Sequence, residues 1–309
     1  MACCGCCSKT SDDEEEVAAS IPGRRSTCRP LLCCCGNPVV PERRIKVTGC
    51  TYMDNGYLVI VDANNHRVKL FDPDLRCCSF VNLQYRPYCV GALGNELYVT
   101  LPQESAVQKL SVTYPFIFVK RKLRRKSYFK TESECLGIVS YKKDLIVSIR
   151  FSTQTATEVT EHAWQIQIMS TKGKIKRRFF NNADGSPLFH EAKYINVTTD
   201  YKEIVFSETE DNRVKCLNIK SGQITFDYAM EDPRGVTCDK NNNIYVLGKH
   251  GSIRWILADR KYVKVLLDGI KKIRFSNTLT YNKQTHSLAV PRNENKIDLY
   301  KVKNSIHDY

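Results

Sequence analysis

The chain has 309 residues, of which 42% are hydrophobic, and its 47 basic and 33 acidic residues give a net charge of +14. This composition supports one large folded domain or two small ones. No run approaches the 18 apolar residues of a membrane-spanning helix, and the N-terminus lacks the uncharged apolar segment of a secretory signal. We therefore expect a cytoplasmic protein, which would be membrane-associated if its N-terminal cysteines are acylated.

The charge excess is unevenly placed. Residues 1–44 contain six basic and six acidic residues, so the whole excess lies on residues 45–309. A basic folded domain predicts a polyanionic or acidic partner.

The N-terminal segment, residues 1–41, is interpreted as a disordered tail because it is polar and charged. Eight of the fifteen cysteines fall within its first 35 residues, several of them in "CCGCC" near the start. Thiols near a chain terminus are accessible to S-acylation, and two or more acyl chains attach a protein stably to a membrane. An unmodified tail and a zinc site are the alternatives, although adjacent cysteines give poor tetrahedral geometry. The candidate acylation sites are Cys3, Cys4, Cys6 and Cys7.

A short pattern then recurs along the chain. Each copy has an apolar strand, a polar hairpin tip, Arg or Lys followed by Val or Ile, and a second strand; "LVIVDANNHRVKLFD", residues 58–72, is the first. The copies start 39, 48, 59, 40 and 44 residues apart. A period near 40–45 residues with four short strands per copy is typical of a propeller blade. The first apolar residues of the six copies are Leu58, Leu97, Leu145, Ile204, Ile244 and Leu288.

The sixth copy lacks a fourth strand, because only seven residues follow "KIDLYKV". We expect "ERRIKV", residues 42–47, to supply that strand; an open ring and a three-stranded blade are the alternatives. The sequence therefore predicts an all-β, six-bladed β-propeller over residues 42–303, with four antiparallel strands per blade. An N-terminal strand closes the ring, and residues 304–309 form a C-terminal tail.

Two stretches, "GYLVIVDANNHRVKLFD" and "PRGVTCDKNNNIYVLGKHGSIRWIL", resemble NHL repeats, which form the six-bladed propeller at the C-terminus of many tripartite-motif proteins. The resemblance implies recognition through loops, and for some NHL propellers the ligand is single-stranded RNA. The repeats have diverged, since only the first copy has an aspartate, Asp62, directly after its second strand. No RING, B-box or coiled-coil pattern precedes the repeats, so ubiquitin-ligase activity is not assigned. Substrate recruitment as a relative of those ligases is an alternative.

The densest basic run is "KRKLRRK", residues 120–126. We place it where the outer strand of blade 2 ends and the chain crosses to blade 3, on the face that also carries the hairpin tips. Basic residues from most blades would then meet and bind phosphates or carboxylates. The predicted binding residues are Arg67, Lys120, Arg121, Lys122, Arg124, Arg125, Lys126, Lys249, His250, Lys271 and Arg292.

These observations predict a monomeric recognition module, without a cofactor or metal, that binds a protein partner or single-stranded RNA. Tyr128 and Phe129 follow the basic run and would either stack on bases or pack into the core. The alternative is a metal-dependent propeller hydrolase, which needs carboxylates and histidines converging at the central channel. The inner strands lack such residues at matched positions, and no nucleophile elbow or phosphate-binding glycine loop occurs. We therefore expect the chain not to be an enzyme.

Overall fold

The computed structural model describes residues 29–30, 43–113, 121–154, 160–294 and 296–302. These residues form 24 strands in six antiparallel sheets of four, which confirms the predicted six-bladed β-propeller. The helical segments among them are three short 3₁₀ turns, Pro102–Glu104, Lys249–Gly251 and Lys271–Ile273. No helix in this part of the chain is long and apolar enough to cross a membrane.

The strands are numbered in chain order and grouped here by blade. Blade 1 contains β2 (Val47–Tyr52), β3 (Leu58–Asp62), β4 (Arg67–Phe71) and β5 (Cys77–Asn82). Blade 2 contains β6 (Val90–Leu93), β7 (Glu96–Leu101), β8 (Ala106–Thr113) and β9 (Lys122–Lys130). Blade 3 contains β10 (Glu134–Tyr141), β11 (Asp144–Gln154), β12 (Thr160–Ser170) and β13 (Ile175–Phe179). Blade 4 contains β14 (Tyr194–Val197), β15 (Glu203–Glu208), β16 (Arg213–Asn218) and β17 (Ile224–Ala229). Blade 5 contains β18 (Val236–Cys238), β19 (Ile244–Leu247), β20 (Ile253–Ile256) and β21 (Val263–Leu267). Blade 6 contains β22 (Thr280–Asn282), β23 (Ser287–Pro291), β24 (Lys296–Lys301) and β1 (Arg29–Pro30).

The repeated apolar residues mark the second strand of every blade. Each predicted first apolar residue is the first or second residue of such a strand. All five residues of β3 are buried, because the strand packs against a neighbouring blade on both faces. The apolar side chains form separate clusters between neighbouring blades, such as the one in which Leu97 and Val99 of blade 2 pack against Val59 and Val61 of blade 1. The core is therefore a ring of inter-blade layers.

The inner strands approach each other so closely that glycine is required in places. A Cβ atom on Gly235, directly before the inner strand of blade 5, would lie 2.6 Å from the Cα atom of Thr278, two residues before the inner strand of blade 6. A Cβ atom on Gly49 of blade 1 would lie 2.7 Å from the Cα atom of Cys89. These glycines allow the blades to close tightly around the central axis.

The ring is closed by an N-terminal strand, but the closing residues differ from those predicted. Arg29 pairs with Ile297 and Pro30 pairs with Lys296, so β1 is the outer strand of blade 6. The prediction that residues 42–47 form this strand is wrong. Residues 43–46 belong to no strand, and Val47 begins the inner strand of blade 1. Polar and apolar residues alternate in "RRIKV" because the crossing buries Ile45 between blades 6 and 1 and exposes Arg44 and Lys46.

Candidate binding surface

One face of the propeller, called here the loop face, carries the tips between second and third strands and the crossings between blades. The crossing from blade 5 to blade 6 spans residues 268–279, and the described part of the crossing from blade 6 to blade 1 spans residues 43–46. Loops on a rigid scaffold are where binding residues usually lie.

The described part of the basic run, residues 121–126, does not lie on the loop face, contrary to the prediction. It continues into the start of the outer strand β9, where Lys122 pairs with Thr113, whereas the loop-face end of β9 is Lys130, paired with Ala106. At about 3.4 Å per residue, Lys122 is about 27 Å along the strand from Lys130. The run therefore projects from the rim of blade 2.

We call Lys122, Arg124, Arg125 and Lys126 the outer wall, since all four side chains are exposed on β9. Arg121 lies just before it, with its guanidinium 3.9 Å from the ring centroid of Tyr57 in blade 1. Positive charge on an exposed edge strand prevents pairing with another chain. This structural role accounts for the outer wall without a ligand.

Two other predicted residues lie on the loop face but are already engaged. Arg67 donates from Nε to the Asn82 side chain at 2.8 Å and covers the Phe80 ring. Arg292 is only 5% exposed, and its guanidinium lies 3.2 Å from Asp298 and 3.3 Å from Glu294. Both side chains are therefore engaged mainly within their own blades.

Lys249, His250 and Lys271 lie close together on the loop face. The 3₁₀ turn that contains Lys249 and His250 packs against the 3₁₀ turn that contains Lys271. Lys249 is paired with Glu231 at 2.7 Å, and this contact holds the pKa of the Glu231 carboxyl below its ordinary value. The pair leaves less of the Lys249 charge for a ligand.

Exposed basic residues from two crossings converge beside this turn, and sequence reasoning missed most of them. Among the described residues, none of these six side chains forms an ion pair. Three of them line one cavity together with Ser276 and Asn293. In the sequence, the run "KKIR" at residues 271–274 indicates a basic cluster, because it lies in a polar crossing between blades. The pair "RR" at 43–44 does not indicate one, because the sequence analysis assigns it to a strand. We call this set the basic sector: Arg43, Arg44, Lys46, Lys271, Lys272 and Arg274.

Over blades 3 and 4 the described cations of the loop face are paired with acids. The ion pairs there are Arg150–Glu134, Lys193–Glu191 and Lys215–Glu208, and the His190 ring is hydrogen-bonded to Asp211. Glu210 is exposed next to Asp211. The loop face is therefore electrically polarised, with its unpaired positive charge over blades 5, 6 and 1.

The two aromatic residues considered for base stacking lie away from the basic sector. Both belong to the outer strand β9, at the rim of blade 2. Tyr128 is 63% exposed, so it is not a core residue, whereas Phe129 is half-buried and contacts Gly173.

Four of the seven described cysteines, Cys50, Cys135, Cys216 and Cys238, are buried, and the other three are half-buried. None of the seven forms a disulfide bond among the described residues, and burial raises the pKa of the Cys50 and Cys216 thiols to about 12. Within the described residues, no three His, Cys, Asp or Glu side chains cluster in a way that could hold a metal ion. Lys120 and the four cysteines Cys3, Cys4, Cys6 and Cys7 lie outside the described residues, so their proposed roles stay predictions.

No protein-family model and no curated protein sequence matches this chain. The NHL assignment therefore stays a prediction.

The fold, in contrast, is similar to many solved structures. The virginiamycin B lyase of Staphylococcus aureus is 13% identical, with a TM-score of 0.58 over 84% of this chain and 97% of the lyase. A luciferin-regenerating enzyme is 12% identical, with a TM-score of 0.59 over 86% of this chain and 94% of the enzyme. The Cps50 (Swd1) β-propeller domain of Myceliophteria thermophila is 11% identical, with a TM-score of 0.55 over 83% of both chains.

Similarity at this level of identity shows the fold alone. It nevertheless contradicts the expectation that this chain is not an enzyme, because the similar structures include a lyase and a luciferin-regenerating enzyme. The expectation rested on the lack of familiar catalytic motifs. Such motifs are a poor guide in propellers, where a site is assembled from single residues on several blades.

Proposed function

We propose that the propeller is a recognition module that docks an acidic protein segment on the basic sector. The observation that carries this proposal is the set of six exposed cations without described ion-pair partners, whereas Arg150, Lys193 and Lys215 over blades 3 and 4 are each paired with an acid. A concentrated positive surface accelerates association with an acidic partner and orients it. The rigid ring keeps the two crossings in a fixed arrangement.

An acidic protein segment fits this surface better than single-stranded RNA does. Sequence-tolerant RNA binding needs aromatic platforms beside the phosphate contacts. Among the described residues, the basic sector has one strongly exposed aromatic side chain beside it, that of Phe275, and Tyr128 lies on another blade. A row of aromatic platforms is therefore missing from this part of the surface. Exposed acids such as Glu210 would also repel a nucleic acid backbone that continued across the loop face.

The test compares two variants that lose the same number of charges. In the sector variant, Arg44, Lys46, Lys272 and Arg274 become Gln; in the wall variant, Lys122, Arg124, Arg125 and Lys126 become Gln. Fluorescence anisotropy measures the binding of a labelled glutamate-rich peptide and of a labelled oligouridine to each protein. We expect the sector variant to bind the peptide at least tenfold more weakly than the unmodified protein and the wall variant to bind it within about twofold.

Equal losses in both variants would show a non-specific response to net charge and would overturn the proposal. Tight oligouridine binding that survives in the presence of the acidic peptide would also overturn it, in favour of an RNA ligand. In that case the logarithm of the oligouridine affinity should fall steeply with the logarithm of the salt concentration.

A further inference from the structure

We propose that a cavity within the basic sector binds a phosphate monoester carried by the acidic partner segment. This inference rests on the proposed function and adds the chemical class of the recognised group. The cavity has a volume of about 200 Å³ and opens between the two crossings and the tip of blade 6. Arg44, Lys46, Lys272 and Ser276 contribute to its lining.

The walls of the cavity are fixed by one amide side chain. Asn293, in the tip of blade 6, accepts a hydrogen bond from the backbone N–H of Val47 at 2.8 Å. It donates from Nδ2 to the carbonyl oxygen of Phe275 at 3.2 Å. Asn293 therefore joins the tip to the crossing from blade 5 and to the first residue of β2, and the cavity is formed before a ligand arrives. A preformed site loses less entropy on binding.

A buried arginine also fixes the wall but adds little net charge. Arg292 donates to the carbonyl oxygen of Lys272 at 3.4 Å, while Asp298 and Glu294 balance its charge. Glu294 is the carboxylate that lines the cavity, and it is engaged by Arg292. Arg292, Asp298 and Glu294 together carry one negative charge, so the three positive charges of Arg44, Lys46 and Lys272 leave the cavity and its wall with a net charge of +2.

The wall also contains a hydroxyl group that the fold leaves unused. Ser276 is 3% exposed, and its Oγ atom has no hydrogen-bond partner among the described residues. Its backbone, in contrast, is engaged: the N–H donates to Ile273 and the carbonyl accepts from Arg234. A buried hydroxyl without a partner has a free-energy cost that a ligand oxygen would remove.

Three cations and one hydroxyl donor around a small cavity match a phosphate monoester better than a carboxylate. Such a phosphate carries a charge of about −1.5 to −2 at neutral pH and has three strong acceptor oxygens. Hydrogen bonds from Arg or Lys to phosphate are charge-assisted and roughly twice as strong as neutral ones. A single carboxylate would leave much of this positive charge unbalanced.

The experiment measures the anisotropy of two labelled peptides, in which four glutamates surround either one phosphoserine or one serine. The proteins are the unmodified chain, Ser276→Ala, a Lys46→Gln/Lys272→Gln double variant, and Ser127→Ala as the control on an exposed serine of β9. We expect the phosphopeptide to bind at least tenfold more tightly than its twin. This ratio should fall at least threefold in Ser276→Ala, approach one in the double variant, and stay unchanged in Ser127→Ala. Inorganic phosphate at constant ionic strength should displace the phosphopeptide selectively.

The outcomes separate the two proposals. Equal binding of both peptides to the unmodified protein would overturn the phosphate subsite and leave the acidic docking surface standing. No binding of either peptide would overturn both proposals. A phosphopeptide preference that survives in Ser276→Ala and in the double variant would overturn the subsite, because the phosphate would then be bound elsewhere.

Discussion

Two hydroxyl groups link neighbouring blades at the positions that correspond to Asp62 of the first repeat. The Thr100 hydroxyl donates to the carbonyl oxygen of Leu136 in blade 3 at 2.7 Å, and the Ser207 hydroxyl donates to that of Arg234 at 2.8 Å. In the first repeat, Asp62 is instead buried and paired with Lys69. The divergence that weakened the NHL resemblance therefore replaces one buried polar contact with another.

This arrangement predicts the effect of Thr100→Val, which keeps the shape of the side chain and removes the hydroxyl. The substitution leaves the Leu136 carbonyl and the Cys89 N–H without this partner, so the free energy of unfolding should fall by about 1–3 kcal/mol. Urea denaturation measures the change. Ser127→Ala, on the exposed part of β9, is the control and should change stability by less than about 0.5 kcal/mol.

The buried thiols predict a loss of stability in alkaline solution. Burial raises the pKa of Cys50 and Cys216 to about 12 and that of Cys135 to about 11. Above about pH 8.5 an unfolded chain releases these protons while the folded chain keeps them, so the free energy of unfolding falls as pH rises. Each thiol contributes about 1 kcal/mol per pH unit in this window.

Urea titrations at pH 7.5, 8.5 and 9.5 under reducing conditions test this prediction. The comparison is a variant in which Cys50, Cys135 and Cys216 are all replaced by Ala, which should be less stable at pH 7.5 but less sensitive to pH. An identical pH dependence in both proteins would show that the thiols do not cause it.

At the scale of strands, the sequence predicts those whose apolar residues repeat and misses those whose environment is unusual. The second strands were found because burial on both faces leaves continuous apolar runs such as "LVIV" in β3. β9 was misplaced because it is an exposed edge strand and "KLRRKSYFK" is mostly polar. The segment 43–46 was wrongly assigned to a strand because one side of this crossing is buried, so its polar and apolar residues alternate as they do in a strand. The basic sector was missed for the same reason, since half of its cations lie in that crossing.

Ring closure by β1 predicts a difference between two truncated chains. One begins at Arg29 and keeps the strand that pairs with β24; the other begins at residue 31 and lacks it. Both lack Cys3, Cys4, Cys6 and Cys7, so their loss cannot explain a difference. The shorter chain should have a lower thermal midpoint, because the backbone edge of β24 loses its partner, and should self-associate more at high concentration. Calorimetry and light scattering measure the two effects; identical behaviour would mean that β1 does not close the ring.

At the scale of the whole molecule, the net charge of +14 divides into two surfaces with different roles. The outer wall lies on a strand edge, where charge protects against aggregation, and the basic sector lies on loops held by a rigid ring. Composition predicted an acidic or polyanionic partner but could not show which cations lie together. Their positions depend on pairing register and on the path of the crossings, which no local pattern encodes.

Hydrogen–deuterium exchange with and without the glutamate-rich peptide tests the location of the docking surface most directly. Because a bound segment shields loop amides from solvent, we predict slower exchange in residues 43–46 and 271–276 and unchanged exchange in residues 122–130. Protection of residues 122–130 with no change in the two crossings would contradict the account and would assign binding to the outer wall.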